Sequence, residues 1–336
     1  MIIKGLRGVG KTVLLGQFRQ KALEANWVVL ELEVQKNDDT EFRRTIASRT
    51  RTALLELSPK ARWTERATAA AAVLKSFSLS IDPSGALQLG FDGAPAEGQA
   101  DHGELSLDLT DLFVAVGEAA QSAGRGLVLL FDEVQFLTRS QLEAVIAAMH
   151  KTVQRKLPIT MVGAGLPQVA ELAGDAKSYA ERLFKFPTIG NLEEDDAREA
   201  LAGPARIEGV VFQPTALDLA LEITGSYPYF LQELGYAAWG VAEGTAINRT
   251  DVQQAEEVYL SKLDESFFRV RFDRCTERQK QYLRAMAELG SGKQKAQDVA
   301  AILGKQSPQV APFRSELIAM GLLYTPDHGY ADFTVP

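Results

Sequence analysis

Eight residues near the start of the chain, Gly5-Leu6-Arg7-Gly8-Val9-Gly10-Lys11-Thr12, carry the spacing G-x-x-x-x-G-K-[ST]. The chemistry of that spacing is the holding of phosphates. Glycines let the backbone curl until successive N–H groups point inward and form a nest for an anion. A helix opening near Lys11 adds the positive end of its dipole. Lys11 reaches toward β- and γ-phosphates as a surface-loop cation, and the Thr12 hydroxyl supplies a ligand for Mg²⁺. Gly5, Arg7, Gly8, Val9, Gly10, Lys11 and Thr12 are therefore read as the cofactor cradle. Residues 1–4 read as the end of a buried strand. Val13, Leu14, Leu15 and Phe18 read as the apolar stripe of the helix that follows.

A second constellation is Asp132-Glu133, directly after the apolar run at 126–131. At the end of a buried strand, Asp132 can approach a Mg²⁺ ion beside Thr12, and Glu133 can polarise an attacking water. Two adjacent buried carboxylates repel each other; a metal on the first relieves this and leaves the second as a base. A third candidate is Arg182, just before the apolar run at 184–189. It either projects toward the γ-phosphate bound by a neighbouring copy or pairs with Glu181 or an acidic loop. The three histidines, His102, His150 and His328, are too scattered for a metal site, and Cys275 is the only cysteine.

Elements that could position these groups follow from periodicity. Apolar runs at 27–34, 126–131, 158–163 and 184–189 read as strands. Helical patterns fill 38–57, 65–76 and 109–123, and a helix capped by Ser140 with Glu143 runs to 154. Strict alternation at 77–81 and 86–91 around Asp82-Pro83-Ser84-Gly85 predicts an inserted hairpin. The strand–helix alternation implies an α/β fold with a parallel sheet. After residue 192 strand signals stop, and helices are expected at 193–202, 214–223, 230–242 and 250–267. Helices at 276–288, 296–303 and 307–320 then precede two short apolar stretches around the turn 326–329. That order suits a winged helix-turn-helix.

The chain of 336 residues has 46% hydrophobic and 24% charged residues, ordinary values for globular domains. A net charge of −8 and a pI near 5.2 argue against a surface coated in nucleic acid, although not against a local DNA-reading module. No apolar run long enough for a membrane span or secretion signal occurs, which suits a cytoplasmic protein. Residues 265–336 hold ten basic against eight acidic side chains. Ser307, Gln309, Arg314 and Ser315, with Lys305 and Gln306 before them, are the candidates for DNA contact; the wing at 326–329 has no Lys or Arg.

Phosphate loop, Asp-Glu strand end, intervening strand, pre-strand arginine, helical segment and C-terminal winged helix occur here in one order. The whole chain thereby resembles the AAA+/STAND-like P-loop ATPases related to the origin-recognition and cell-division-cycle group. The resemblance implies a parallel ASCE-type core at 1–191 (with the hairpin at about 77–91), a helical lid at 192–268 and a winged helix-turn-helix at 269–336. It implies ATP/ADP and Mg²⁺ as cofactors, Thr12 and Asp132 at the metal, Glu133, Lys11 and Arg182 in catalysis, and Pro228 packing on the nucleotide. Two features depart from the family. The strand ending Val162-Gly163-Ala164-Gly165 lacks a polar water-positioning residue. The stretch 225–231 lacks a basic side chain and has Ser226 where the Gly-x-Pro motif has glycine.

These departures suggest a slow ATPase acting as a switch. Its partners are then duplex DNA through the winged helix and a homo-oligomer through Arg182, with no membrane. The alternative is an ATP-dependent signalling or assembly protein whose winged helix binds protein. So little chain precedes the loop that adenine is held by the far domain or the chain begins late. Its stop at Pro336 on an apolar strand hints at truncation.

Overall fold

The computed structural model describes residues 1–58, 64–79 and 94–335. Their contacts divide into two units: Met1–Lys4 with Lys11–Thr188, and Gly5–Gly10 with Ile189–Pro336.

The first unit contains β1 (Ile2–Lys4), α1 (Lys11–Glu24), β2 (Val28–Glu33), α2 (Asp39–Leu57), α3 (Glu65–Leu79), α4 (Leu105–Ser122), β3 (Leu127–Asp132), α5 (Arg139–Gln154), β4 (Ile159–Gly165), α6 (Val169–Ala176) and α7 (Ala180–Leu183). The strands form a parallel sheet in the order β1-β4-β3-β2, flanked by helices. β3 is a continuous apolar run buried through Phe131, as expected of a strand covered on both faces. β2 instead alternates, with Val28, Leu30 and Leu32 buried and Glu31 and Glu33 exposed.

Several local expectations need correction. Residues 184–189 form no named strand; residues 185–188 lie beside β1, accepting bonds from Ile2 and Lys4 through Lys185 and Pro187 (2.8 and 2.9 Å), with one bridge at Thr188. Pro187 has no N–H to continue a ladder. Phe77, Ser78 and Leu79 are helical, because Phe77 and its neighbours extend the buried face of α3; the rest of the expected hairpin lies outside the described residues. α5 is capped by Thr138, which forms a capping box with Gln141, two residues ahead of the expected Ser140–Glu143 pair. The core beneath these elements also buries one ion pair, Arg43 to Asp108 at 2.8 Å, with Asp108 fully buried.

The second unit contains α8 (Glu194–Ile207), β5 (Val211–Phe212), α9 (Pro214–Thr224), α10 (Pro228–Val241), β6 (Ala246–Ile247), α11 (Arg249–Lys262) running through a π-turn (Leu263–Phe268) into α12 (Arg269–Phe272), α13 (Glu277–Glu288), β7 (Gln294–Lys295), α14 (Ala296–Ile302), α15 (Ser307–Ala319), β8 (Leu323–Tyr324) and β9 (Tyr330–Phe333). It has two apolar cores. One gathers Leu201, Phe212, Leu231, Leu234 and Tyr259; the other gathers Tyr282, Met286, Val299, Val310, Leu317 and Leu323. Over the second core lies a small antiparallel sheet in the order β7-β9-β8. No helix among the described residues is long and apolar enough to cross a membrane.

Candidate functional site

The groups that could do chemistry converge where β3 ends. Its last residue, Asp132, is bound at both carboxylate oxygens. The Thr12 hydroxyl donates to Oδ2 at 2.7 Å, and the Glu133 backbone N–H donates to Oδ1 at 2.8 Å. Thr12 stands in the first turn of α1, so helix and strand fix this carboxylate from two sides. Glu133 has φ +56° and ψ +39°, a left-handed conformation uncommon outside glycine and asparagine. It turns the chain sharply from strand into the short 3₁₀ turn Val134–Phe136. Gln135 in that turn donates its side-chain amide to Glu133 Oε2. Its carbonyl oxygen accepts the Leu166 N–H at 3.0 Å, just past β4.

Lys11 opens α1 and is only 8% exposed, which corrects the expectation of a surface-loop cation. The stripe after it also differs. Leu15 is buried, but Val13 is 69% exposed and Leu14 is 37% exposed, because α1 buries a narrower face than its composition suggests.

The earlier loop residues make their contacts within the second unit. Gly8 and Gly10 have φ of +83° and +94°, the positive values that glycine adopts without penalty. A Cβ on Gly5 would lie 2.6 Å from the Ile189 carbonyl oxygen, and one on Gly8 would lie 2.9 Å from the Tyr229 Cβ. The Arg7 N–H donates to the Thr334 carbonyl at 3.0 Å, while its own carbonyl accepts from the Tyr227 hydroxyl. Burial pushes the Tyr227 phenol up to about 12, keeping it a donor. Tyr229 N–H donates to the Gly8 carbonyl at 3.1 Å. Pro228, between these tyrosines, occupies the first position of α10, where its missing N–H costs nothing. Ser226 has φ +56°, the backbone state that gives glycine a purpose there. Arg7 and Arg271 are close enough that, after burial, Arg7 is the next cause lowering the Arg271 guanidinium. Val9 is buried.

Arg182 lies in α7, exposed, and its guanidinium makes no hydrogen bond or ion pair among the described residues. It is therefore not joined to the Thr12–Asp132–Glu133 cluster. In the C-terminal sheet region, Arg314 departs from its expected role. It turns inward, donating to the Tyr330 carbonyl at 2.7 Å and the Thr325 hydroxyl at 3.3 Å. Lys305, Gln306, Gln309 and Ser315 are exposed, and Ser307 is half-buried. The turn at 326–329 carries no Lys or Arg of its own; Lys293 pairs with Asp327 at 2.5 Å and stands beside Tyr330 with Lys295. The second unit also holds an apolar cavity of about 840 Å³ lined by Phe267, Phe268, Phe272, Leu283, Leu322 and Phe333.

A glycine loop running into a helix, with a strand-end carboxylate on the helix's first hydroxyl, defines a P-loop nucleotide-binding protein with one strand, β4, between the loop strand and the carboxylate strand. Residues 1–162 match the family model described as an AAA ATPase domain. Residues 265–336 match a second model, described as a domain of unknown function (DUF8462). Among solved structures, a Walker-type ATPase of Pyrococcus abyssi is 16% identical with a TM-score of 0.52, over 100% of this chain and 88% of that one. It shares the fold. The RuvB Holliday junction branch migration motor of Thermotoga maritima is 15% identical with a TM-score of 0.47, over 98% of this chain and 82% of that one. The ORC1 protein of Aeropyrum pernix, solved in complex with DNA, is 14% identical with a TM-score of 0.43, over 100% and 83%. No curated protein matches the chain.

Proposed function

We propose that the chain is a slow ATPase that works as a nucleotide-dependent switch, and that its C-terminal region docks duplex DNA. In this reading residues 1–191 are the ATPase core, 192–268 a lid and 269–336 a winged helix-turn-helix. The observation that carries the ATPase half is the Asp132 carboxylate, shared between the Thr12 hydroxyl and the Glu133 backbone N–H. A hydroxyl and a carboxylate are hard oxygen donors, the set suited to Mg²⁺ with phosphates and water completing its shell. Mg²⁺, when bound there by Thr12 and Asp132, would offset charge on the phosphate oxygens. Gly5, Arg7, Gly8, Val9 and Gly10 form the cradle, Lys11 neutralises phosphate charge, and Pro228 packs toward the nucleotide. Glu133 orients water and takes its proton.

Slow turnover is supported by the glycine end of β4 and by a lid stretch without a basic residue. The unpaired, exposed guanidinium of Arg182 suits a role at the site of another copy. Mixing Arg182→Ala with Lys11→Ala protomers should then restore part of the activity; no rescue removes that role.

Lys11→Ala should weaken binding of a fluorescent ATP analogue by about 100-fold, the scale of a lost charge-assisted bond or two. Undiminished affinity removes the loop from the account. For the C-terminal region, exposed Lys305 and Gln309 on and before α15, with Lys293 and Lys295 near the turn, supply a small basic face. Duplex binding should be micromolar, should fall with salt on a slope of a few phosphates, and should weaken in Lys305→Ala. A second reading, protein docking by the same region, is favoured by the inward turn of Arg314 and by the aromatic cavity lined by Phe267, Phe272 and Phe333. Absence of DNA retention at low salt, with or without ATP, selects that reading.

A further inference from the structure

The β4 end of this site is built from small residues, Gly163-Ala164-Gly165, and brings no polar side chain of its own. The 3₁₀ turn on the neighbouring strand end supplies one instead. Gln135 crosses the gap with both ends of its amide engaged: Nε2–H on Glu133 Oε2, and Oε1 on the Leu166 N–H. The glycine at 165 makes this possible, since a Cβ there would stand 2.8 Å from Gln135 Oε1. An amide held at its carbonyl end has no freedom to flip, so the donor end is fixed on one carboxylate oxygen.

The carboxylate it holds is the one on a strained backbone. Glu133 sits in the left-handed region, a strained state that persists only where surroundings over-determine it. Three bonds do so here. Its N–H is on Asp132 Oδ1, its C=O accepts the Phe136 N–H at 2.9 Å, and its side chain is on Gln135. The first two fix the backbone; among the described residues, Gln135 is the one that fixes the carboxylate.

We propose that Gln135 is a positioning residue for hydrolysis, tying the Glu133 carboxylate to the end of β4 so that its remaining oxygen faces the attacking water. This rests on the reading of Glu133 as the base. In the step itself a water oxygen bonds to the γ-phosphorus, the bond from that phosphorus to the bridging oxygen breaks with its electron pair leaving on ADP, and one water proton passes to Glu133. Gln135 contributes to that step through Glu133 alone. It makes no demand on nucleotide affinity, because it is engaged at both ends without the nucleotide.

The test is a double-mutant cycle on the full chain, with ATP affinity, melting temperature and single-turnover hydrolysis measured on each variant. Gln135→Leu should lower kcat by about tenfold to a hundredfold, the scale of a misplaced catalytic group, with ATP Kd unchanged; the melting temperature falls alike in both backgrounds, because the buried Leu166 N–H loses its acceptor. In a Glu133→Gln background the same change should have no further effect on kcat, since the carboxylate it positions is gone. If Gln135→Leu does not fold, Gln135→Glu, which keeps an acceptor for Leu166 and loses the donor, takes its place with the same expectation for kcat. An unchanged kcat, or an equal fall of kcat in both backgrounds, overturns the proposal while leaving Glu133 as base. Wild-type chain without turnover, or turnover that survives Glu133→Gln, overturns both.

Discussion

The rim of the β3–β4 sheet and the surface around α15 both place polar side chains beside an apolar core, and they treat them differently. At the end of β3, Asp132, Glu133 and Gln135 are bonded to one another, to Thr12 and to backbone groups, with a strained residue at the centre. Around α15, the exposed Gln306 and Gln309 bond the helix's own first turn in a capping box, Lys305 and Ser315 stand exposed, and Arg314 faces inward. A group that reacts must be held to a narrow geometry. A group that touches phosphates along a duplex needs charge more than exact placement. The contrast fits a chemical site in the first unit and, at most, an adaptable contact surface in the second.

Ion pairs offer the sharpest way to break the comparison. Asp108 is fully buried on Arg43, so Asp108→Ala takes the paired carboxylate away from a buried cation and should cost about 3–5 kcal/mol. Urea unfolding reads this as a lower midpoint at unchanged slope. Lys293→Ala, on the exposed pair with Asp327, should leave the midpoint almost where it was, because water and salt screen an exposed pair. Comparable losses would contradict the burial argument.

Arg314 comes next. If its bonds to Tyr330 and Thr325 are its purpose, Arg314→Ala should destabilise the C-terminal region by about 2 kcal/mol, and any loss of DNA affinity should track unfolding. Full stability with reduced DNA affinity would return Arg314 to the contact surface. The smallest effect concerns the two strained positions. Glu133 and Ser226 share a positive φ, yet only Glu133 has a side chain engaged in the cluster. Ser226→Gly should therefore stabilise the chain by about 1 kcal/mol, seen as a raised melting temperature; a lowered one would mean the serine side chain has a partner of its own.

β3 was legible because it is a continuous apolar run with no competing pattern, and Asp132 because it ends that run. The glycines of the loop were legible because positive φ leaves a compositional mark. Gln135 was not. A single polar residue in a short turn has no periodicity, and its role depends on a glycine thirty positions later leaving room for an amide. The inward bonds of Arg314 were hidden for a similar reason. Its spacing on α15 suits an outward contact, and only the return of β9 brings the Tyr330 carbonyl into reach. Thr138 displaced Ser140 as the cap because Gln141 is also drawn to Asn37 and Asp39 on another segment, a tertiary demand no local pattern carries.

The central claim is that the carboxylate held by this cluster drives hydrolysis at the phosphate loop. Glu133→Gln keeps the shape of the side chain and removes its basicity. Steady-state ATP hydrolysis by the full chain with Mg²⁺, alongside ATP affinity, tests it most directly. The account predicts unchanged affinity with turnover lower by about 100-fold or more; turnover equal to that of the wild-type chain would contradict it.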